Sequence, residues 1–324
     1  MNKKIKDTRI SLPTLAFIVP CYNEDPMLDI LIGRLTELGS ALAADKMIAG
    51  TAQIVLIDDG SNDRTWEMIS AAAPHVLGIK LARNHGHQHA LLAGLMTAKA
   101  DILISLDADL QDDISAIPKM IDAYSKGAEI VFGVRSTRDT DTWFKRTTAN
   151  GYYRLMRRMG VDLIINHADF RLMGRRSIEA LRNYGEVNLF LRGIVKNLGF
   201  SFAIIEYPRA PRVAGESKYP TSKMLALAVE GITSFSIKPL RIVAWTGLII
   251  AIFSFLYVGY AVVARLMGIT VSGWASIVAS IYMLGGIQLI ALGVIGEYLG
   301  KVYLETKRRP QFIIEKITHE NEEQ

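Results

Sequence analysis

Residues 102–112 read Ile102-Leu103-Ile104-Ser105-Leu106-Asp107-Ala108-Asp109-Leu110-Gln111-Asp112, a largely apolar run that stops at two carboxylates one residue apart. Short, near-continuous apolar runs of this kind are what strands buried on both faces need. Two carboxylates at such a strand end can reach one hard cation. Mg²⁺ commonly keeps few protein ligands and fills its shell with water and substrate phosphates. A diphosphate bridged to protein in this way suits group transfer, because the metal neutralises charge on the leaving group. Taken alone, an Asp-x-Asp is weak evidence, since a solvated turn has the same composition.

Outward from this stretch, further β-rich runs occur at 15–19, 53–57, 76–81 and 130–132, with 102–106 itself as the fourth in order. Helical patterns fall between them at 26–38, 64–72, 89–98 and 114–126. Strands separated by helices predict an α/β fold built on a mostly parallel sheet with right-handed crossovers. Ligands bind at the carboxyl ends of strands in such sheets. The polar clusters fall at those ends: Tyr22-Asn23-Glu24, Asp58-Asp59-Gly60-Ser61, Arg83-Asn84 and Asp107-Ala108-Asp109. One polar loop after a buried strand is ordinary, whereas four able to converge on one rim point to a site. In the second cluster Gly60 permits a tight turn, Ser61 or Asp63 can cap the next helix, and one carboxylate can accept from a base or ribose.

The composition changes near Pro239. Residues 242–264 are 23 positions without a charge, and a second uncharged run occupies 266–296. Roughly 20 apolar residues cross a bilayer core, so each run is long enough to span once. Lys218, Lys223, Lys238 and Arg241 precede the first run, Lys301, Lys307, Arg308 and Arg309 follow the second, and only Arg265 lies between. By the positive-inside rule both flanks are expected in the cytoplasm and the connection near Thr270 outside, giving a multi-pass protein of the inner membrane. Pro13 and Pro20 bracket an apolar run of only five residues, 15–19, so no cleaved signal is expected, and the single Cys21 excludes an intramolecular disulfide. The net charge of +5 is modest and placed around the apolar runs, which argues against a nucleic-acid partner. The expected division is a catalytic domain at 1–220, an interfacial segment at 221–241, a transmembrane hairpin at 242–299 and a tail at 300–324.

In order, Pro20-Cys21-Tyr22-Asn23-Glu24, Asp58-Asp59-Gly60-Ser61-Asn62-Asp63 and Asp107-Ala108-Asp109-Leu110-Gln111 resemble the signature of family 2 glycosyltransferases of the GT-A fold. The resemblance continues through Phe132-Gly133-Val134-Arg135, Ala168-Asp169-Phe170-Arg171-Leu172 and Arg212-Val213-Ala214-Gly215-Glu216-Ser217-Lys218-Tyr219. With the paired apolar runs it narrows to polyprenyl-phosphate glycosyltransferases, nearest in pattern to the bactoprenol glucosyltransferases, with dolichol-phosphate mannose synthases as more distant kin. It implies an inverting transfer of a hexose, glucose from UDP-glucose first among candidates, to a polyprenyl phosphate. It further implies that Pro20, Tyr22, Glu24, Asp59, Asp107, Ala108, Asp109 and Arg135 hold the donor, and that Asp107, Asp109 and Gln111 serve Mg²⁺ or Mn²⁺. Arg212, Ser217 and Lys218 would receive the lipid phosphate, beside a membrane where basic residues meet anionic headgroups. Asp109 and Asp169 are the catalytic candidates. Asp169 matches a carboxylate discussed as a base, yet a phosphate monoester is largely dianionic at neutral pH and needs little deprotonation, so orienting Arg171 or the acceptor suits it better. A homo-oligomer is plausible from the family.

Other motifs carry less. His85-Gly86-His87-Gln88-His89 has no cysteine or carboxylate beside it in sequence, so it makes a poor zinc site; the resemblance implies a donor-site loop here. Residues 142–160 interleave aromatic and basic side chains, and 222–237 is apolar and directly precedes the first run; both suit an interfacial helix. Gly296 and Gly300 permit close helix packing. A processive polysaccharide synthase would share the donor motifs but carries Gln-x-x-Arg-Trp and more spans, neither of which occurs here. A non-catalytic membrane scaffold would be expected to lose its acidic residues at the cation site, and this chain keeps them.

Overall fold

The computed structural model describes residues 11–136, 158–159, 167–186, 189–208, 232–234, 236–267 and 273–318. The chain divides into two units: Met1–Asn150, Leu163–Lys218 and Arg308–Gln324 form one, and Gly151–Asp162 with Tyr219–Lys307 form the other.

In the first unit the apolar runs become β1 (Leu15–Cys21), β2 (Gln53–Asp58), β3 (Val76–Leu81), β4 (Ile102–Ser105) and β5 (Ile130–Arg135). Between them lie α1 (Asp25–Ala44), α2 (Thr65–Ala71), α3 (His87–Thr97) and α4 (Ile117–Ser125). The chain continues through β6 (His167–Gly174), α5 (Arg175–Leu181), α6 (Leu191–Asn197) and β7 (Phe202–Tyr207). β1 is buried along its whole length because helices cover both faces of a central strand. α1 turns Met27, Leu28, Leu31, Leu35 and Leu42 inward at the three-to-four-residue spacing of one helical face. The expected helix at 114–126 starts instead as a 3₁₀ turn, Ile114–Ala116, before α4. Pro118 has no N–H to give and so sits in the first turn of α4.

One eight-stranded sheet results, in the order β7-β5-β6-β4-β1-β2-β3-β8. β1 lies parallel to β2 and β4, and β2 to β3, so the chain moves outward through β2 and β3 and then returns to β4 on the other side of β1. That reversal opens the crevice in which doubly wound sheets bind ligands. Two strands break the parallel pattern. β6 runs antiparallel between β4 and β5, and β8 (Ile314–Ile317) runs antiparallel along β3. Residues expected to form a tail therefore close a sheet edge: Ala82 N donates to Ile313 O, Gly78 N donates to Thr318 Oγ1, and Lys80 pairs with Glu315 at 3.2 Å.

In the second unit the apolar runs form α7 (Lys238–Leu266) and α8 (Trp274–Thr306). Lys238–Tyr257 and Met283–Thr306 are long and apolar enough to cross a membrane, and neither stretch is buried within the protein. Trp245, Phe253, Phe255, Leu256 and Leu289 stand exposed along them. A soluble helix would hide such a surface. At 33 residues α8 measures about 50 Å, longer than a bilayer core is thick.

Candidate active site

The site begins where β1, β2 and β4 end. Past β1, Asn23 turns the chain at a φ of 55°, its N–H donating to Ser61 Oγ while its Oδ1 accepts from Asn62 N. These bonds fasten the loop after β1 to the loop after β2. Tyr22 is 44% exposed at this rim, and Pro20 is buried in the strand behind it. Glu24 is half-buried, and its carboxyl is raised by burial and then by Asp109, Asp63 and Asp107. Three of the expected carboxylates, Glu24, Asp107 and Asp109, thus share one electrostatic neighbourhood.

After β2, Asp58 Oδ1 accepts from Ser61 N, and buried Asp58 Oδ2 has no hydrogen-bond partner. Asp59 is buried and its carboxyl is pushed up by that burial, though both oxygens are engaged: His85 N donates to Oδ1 at 2.7 Å and Gly86 N to Oδ2 at 2.9 Å. Asp59 therefore ties the loop after β3 to the end of β2. Gly60, at a φ of 71°, permits this closeness, because a Cβ there would lie 2.6 Å from Asn84 N.

After β4, Ala108 is buried and Leu110 takes a positive φ of 50°, folding Gln111 back. Gln111 N donates to Asp109 Oδ1 at 3.1 Å and Gln111 Nε2 to Asp109 Oδ2 at 2.7 Å. Asp107 is pushed up to about 6, by burial first and then by Asp169, Asp112 and Asp109, against the lowering effect of His87. Its buried Oδ1 has no hydrogen-bond partner. Among the described residues no three His, Cys, Asp or Glu side chains gather as a metal cage. Two carboxylates beside a crevice do fit an ion that takes the rest of its shell from water and phosphates.

Asp169, 3% exposed on β6, is the most heavily bonded of the expected residues. Arg171 Nη2 donates to its Oδ1 at 2.6 Å, Arg192 Nη2 to its Oδ2 at 3.0 Å, and Gln88 Nε2 to its Oδ2 at 3.1 Å. Burial alone would raise its pKa, but His87, Arg171 and Arg192 outweigh that and hold it well below the usual carboxylate range. A carboxylate so held is a poor proton acceptor. Arg135, at the end of β5, places Nε and Nη2 on Asp112 Oδ1, which also accepts from Tyr207. Arg212, Ser217 and Lys218 lie outside the described residues, as do all of 142–160 except Arg158 and Met159 and most of 222–237.

His87, Gln88 and Arg192 escaped the sequence reading as partners of Asp169, and Asp112 and Tyr207 as partners of Arg135. The histidine-rich loop was visible as a motif, but no local pattern shows that His87 opens α3 and faces two aspartates. The three histidines of that loop diverge: His89 Nδ1 meets His85 O, buried His85 Nε2 has no partner, and His87 turns to the acidic rim.

Residues 16–182 match the family described as glycosyl transferase family 2, and residues 238–302 match the GtrB C-terminal hairpin. An uncharacterized glycosyltransferase of Bacillus subtilis (strain 168), YkoT, is 50% identical over 310 residues, covering 94% of this chain and 92% of its own. The prophage bactoprenol glucosyl transferase homolog of Escherichia coli (strain K12) is 40% identical over 94% of this chain and 99% of its own. The bactoprenol glucosyl transferase of Shigella phage SfII is 41% identical over 93% and 97%. With the acidic rim at the reversal of a mostly parallel sheet and a matching pair of apolar helices, the chain belongs to glycosyltransferase family 2 and carries its GT-A fold.

Proposed function

We propose that this enzyme transfers glucose from UDP-glucose to a polyprenyl phosphate such as undecaprenyl phosphate, with inversion, on the cytoplasmic face of the inner membrane. The observation that carries this reading is the length of the likeness to the bactoprenol glucosyl transferases: it runs through the acidic rim and the paired apolar helices alike, over 93–94% of the chain. A headgroup confined to the bilayer surface is a reason for an anchored catalyst, and the basic residues flanking the apolar helices favour cytoplasmic termini.

A divalent cation, Mg²⁺ or Mn²⁺, fits the chemistry of the rim. Buried Asp107 Oδ1 has no hydrogen-bond partner, and the clustered carboxylates repel one another. Asp107 and Asp109 would hold the ion, with Gln111 beside them. Bound there, it would neutralise charge on the departing diphosphate. Tyr22 offers an aromatic face to the base, Glu24 a carboxylate to the nucleoside, and Asp59 the rigid floor beneath the loop after β3. Pro20, Ala108 and Arg135 would complete the donor site, Pro20 and Ala108 buried at their strand ends and Arg135 held by Asp112. Arg212, Ser217 and Lys218 would receive the acceptor phosphate. One oxygen of that phosphate attacks the anomeric carbon as the bond from that carbon to the diphosphate oxygen breaks. The attacking group is already largely dianionic near neutral pH, so no side chain must remove a proton. Asp169, held ionised, orients its neighbours.

The test is a donor panel with undecaprenyl phosphate and the full-length enzyme in detergent. UDP-glucose should give lipid-linked glucose and UDP, and EDTA should stop the reaction. Absence of lipid product with every donor overturns the reading. A charge-assisted contact to phosphate is worth about 1.5–3 kcal/mol, so Arg212→Ala and Lys218→Ala should each cost roughly 10- to 150-fold in acceptor-dependent kcat/KM. Donor affinity should stay close to wild type. Unchanged acceptor kinetics in neutral detergent would mean these cations only attract anionic lipid.

A further inference from the structure

We propose that His87 is a positioning residue for the cation site, its Nε2–H orienting the Asp107 carboxylate. The inference rests on the reading of Asp107 and Asp109 as the residues that hold the ion. The backbone beneath His87 is pinned from two directions. Asp59 takes the N–H groups of His85 and Gly86, the two residues that lead into α3. α3 itself lies hard against the sheet, since a Cβ at Gly94 would come within 2.5 Å of both Ile18 and Ile57 side chains. His87, the first residue of this anchored helix, is therefore delivered to a fixed place.

That place is between two carboxylates. His87 Nε2 stands 3.5 Å from Asp107 Oδ1 and 3.5 Å from Asp169 Oδ2. The two oxygens are not equivalent partners. Asp169 Oδ2 already accepts from Gln88 and Arg192, whereas Asp107 Oδ1 is buried with no hydrogen-bond partner. A hydrogen bond needs an approach of only a few tenths of an ångström, because N–H···O bonds lie at about 2.7–3.2 Å. The N–H gains most on Asp107, where it satisfies an otherwise orphaned atom. Asp169, fixed by two guanidiniums, faces the same Nε2 and is the competing acceptor for its N–H. Groups that hold a ligating carboxylate in place commonly govern metal affinity by about 10- to 100-fold.

The experiment measures Mn²⁺ binding to full-length protein in detergent with UDP and no acceptor, reading free Mn²⁺ by electron paramagnetic resonance. His87→Ala should weaken Mn²⁺ binding by roughly 10- to 100-fold. His87→Gln, which keeps an N–H donor, should recover most of the loss. Thermal midpoints establish that both fold, and His87→Ser replaces the alanine variant should that one melt early. Wild-type Mn²⁺ affinity in the truncated variant overturns the proposal, as does equal loss in the glutamine variant, which would assign the effect to the imidazole rather than to a donated hydrogen bond. Asp107→Asn is the reference. If it too binds Mn²⁺ like wild type, the cation reading fails first, whereas its loss beside an intact His87→Ala sinks the histidine alone.

Discussion

Asp107 and Asp169 share one imidazole nitrogen, each with an oxygen 3.5 Å from His87 Nε2, yet their surroundings drive them in opposite directions. Asp107 follows β4 among other carboxylates and is pushed up to about 6, with burial the largest cause. Asp169 lies on β6 facing Arg171 and Arg192 and is held well below the ordinary range despite its burial. One is a carboxylate the fold leaves under-compensated, and the other is a carboxylate the fold has saturated. The first arrangement is suited to accept a cation from solution, the second to hold the surrounding scaffold. Adjacency in space therefore says little about role until each group's partners are counted.

The comparison breaks most visibly at Asp169. Arg171 is fully buried and has no hydrogen-bond partner at Nε, so Asp169→Asn leaves a guanidinium in the interior without its counter-charge. Such losses cost about 3–5 kcal/mol, and the thermal midpoint of the full chain in detergent should fall by roughly 10 °C. A midpoint equal to wild type would show that Asp169 is no structural anchor. Asp109→Asn should behave in the contrary way, keeping its midpoint while losing about 100-fold or more in turnover, the several kcal/mol a cation supplies to charge stabilisation. Turnover that persists in this variant, or in wild type after EDTA, defeats that half of the contrast.

The smallest effect sharpens the sign. A folded-state pKa raised above the unfolded value means that Asp107's contribution favours folding at low pH and is lost as pH rises through about 6. In EDTA near pH 7.5, Asp107→Asn should therefore be more stable than wild type by about 1 kcal/mol. That advantage should fade below about pH 4, where the wild-type carboxyl is protonated in both states. Asp169 contributes with the opposite sign, its stabilisation present above the unfolded pKa and lost only as pH falls toward its depressed folded value. A destabilised Asp107→Asn protein at neutral pH would place Asp107 with Asp169 as a scaffold residue.

Much of this was legible in the chain because it is written locally. An apolar run ending in Asp107-Ala108-Asp109 marks a buried strand and its exit, and the same reading found the ends of β1 and β2. Two long uncharged runs specify helices that need an apolar medium, since length and hydropathy are properties of contiguous residues. Tertiary structure decided what depends on distant partners. Ile314–Ile317 became an edge strand only by meeting β3, with Glu315 reaching a lysine 235 positions earlier. A charged four-residue segment has too little pattern to announce a strand before its partner is present. β6 likewise took its antiparallel place between β4 and β5 through pairing that no periodicity encodes. The surroundings of Asp169 were assembled from α3, β6 and α6, with Gln88 lying 81 positions away in sequence. Composition fixed where carboxylates could stand, but burial and the count of donors around each one arise only when the chain closes, and those decide which carboxylate is left to meet a cation.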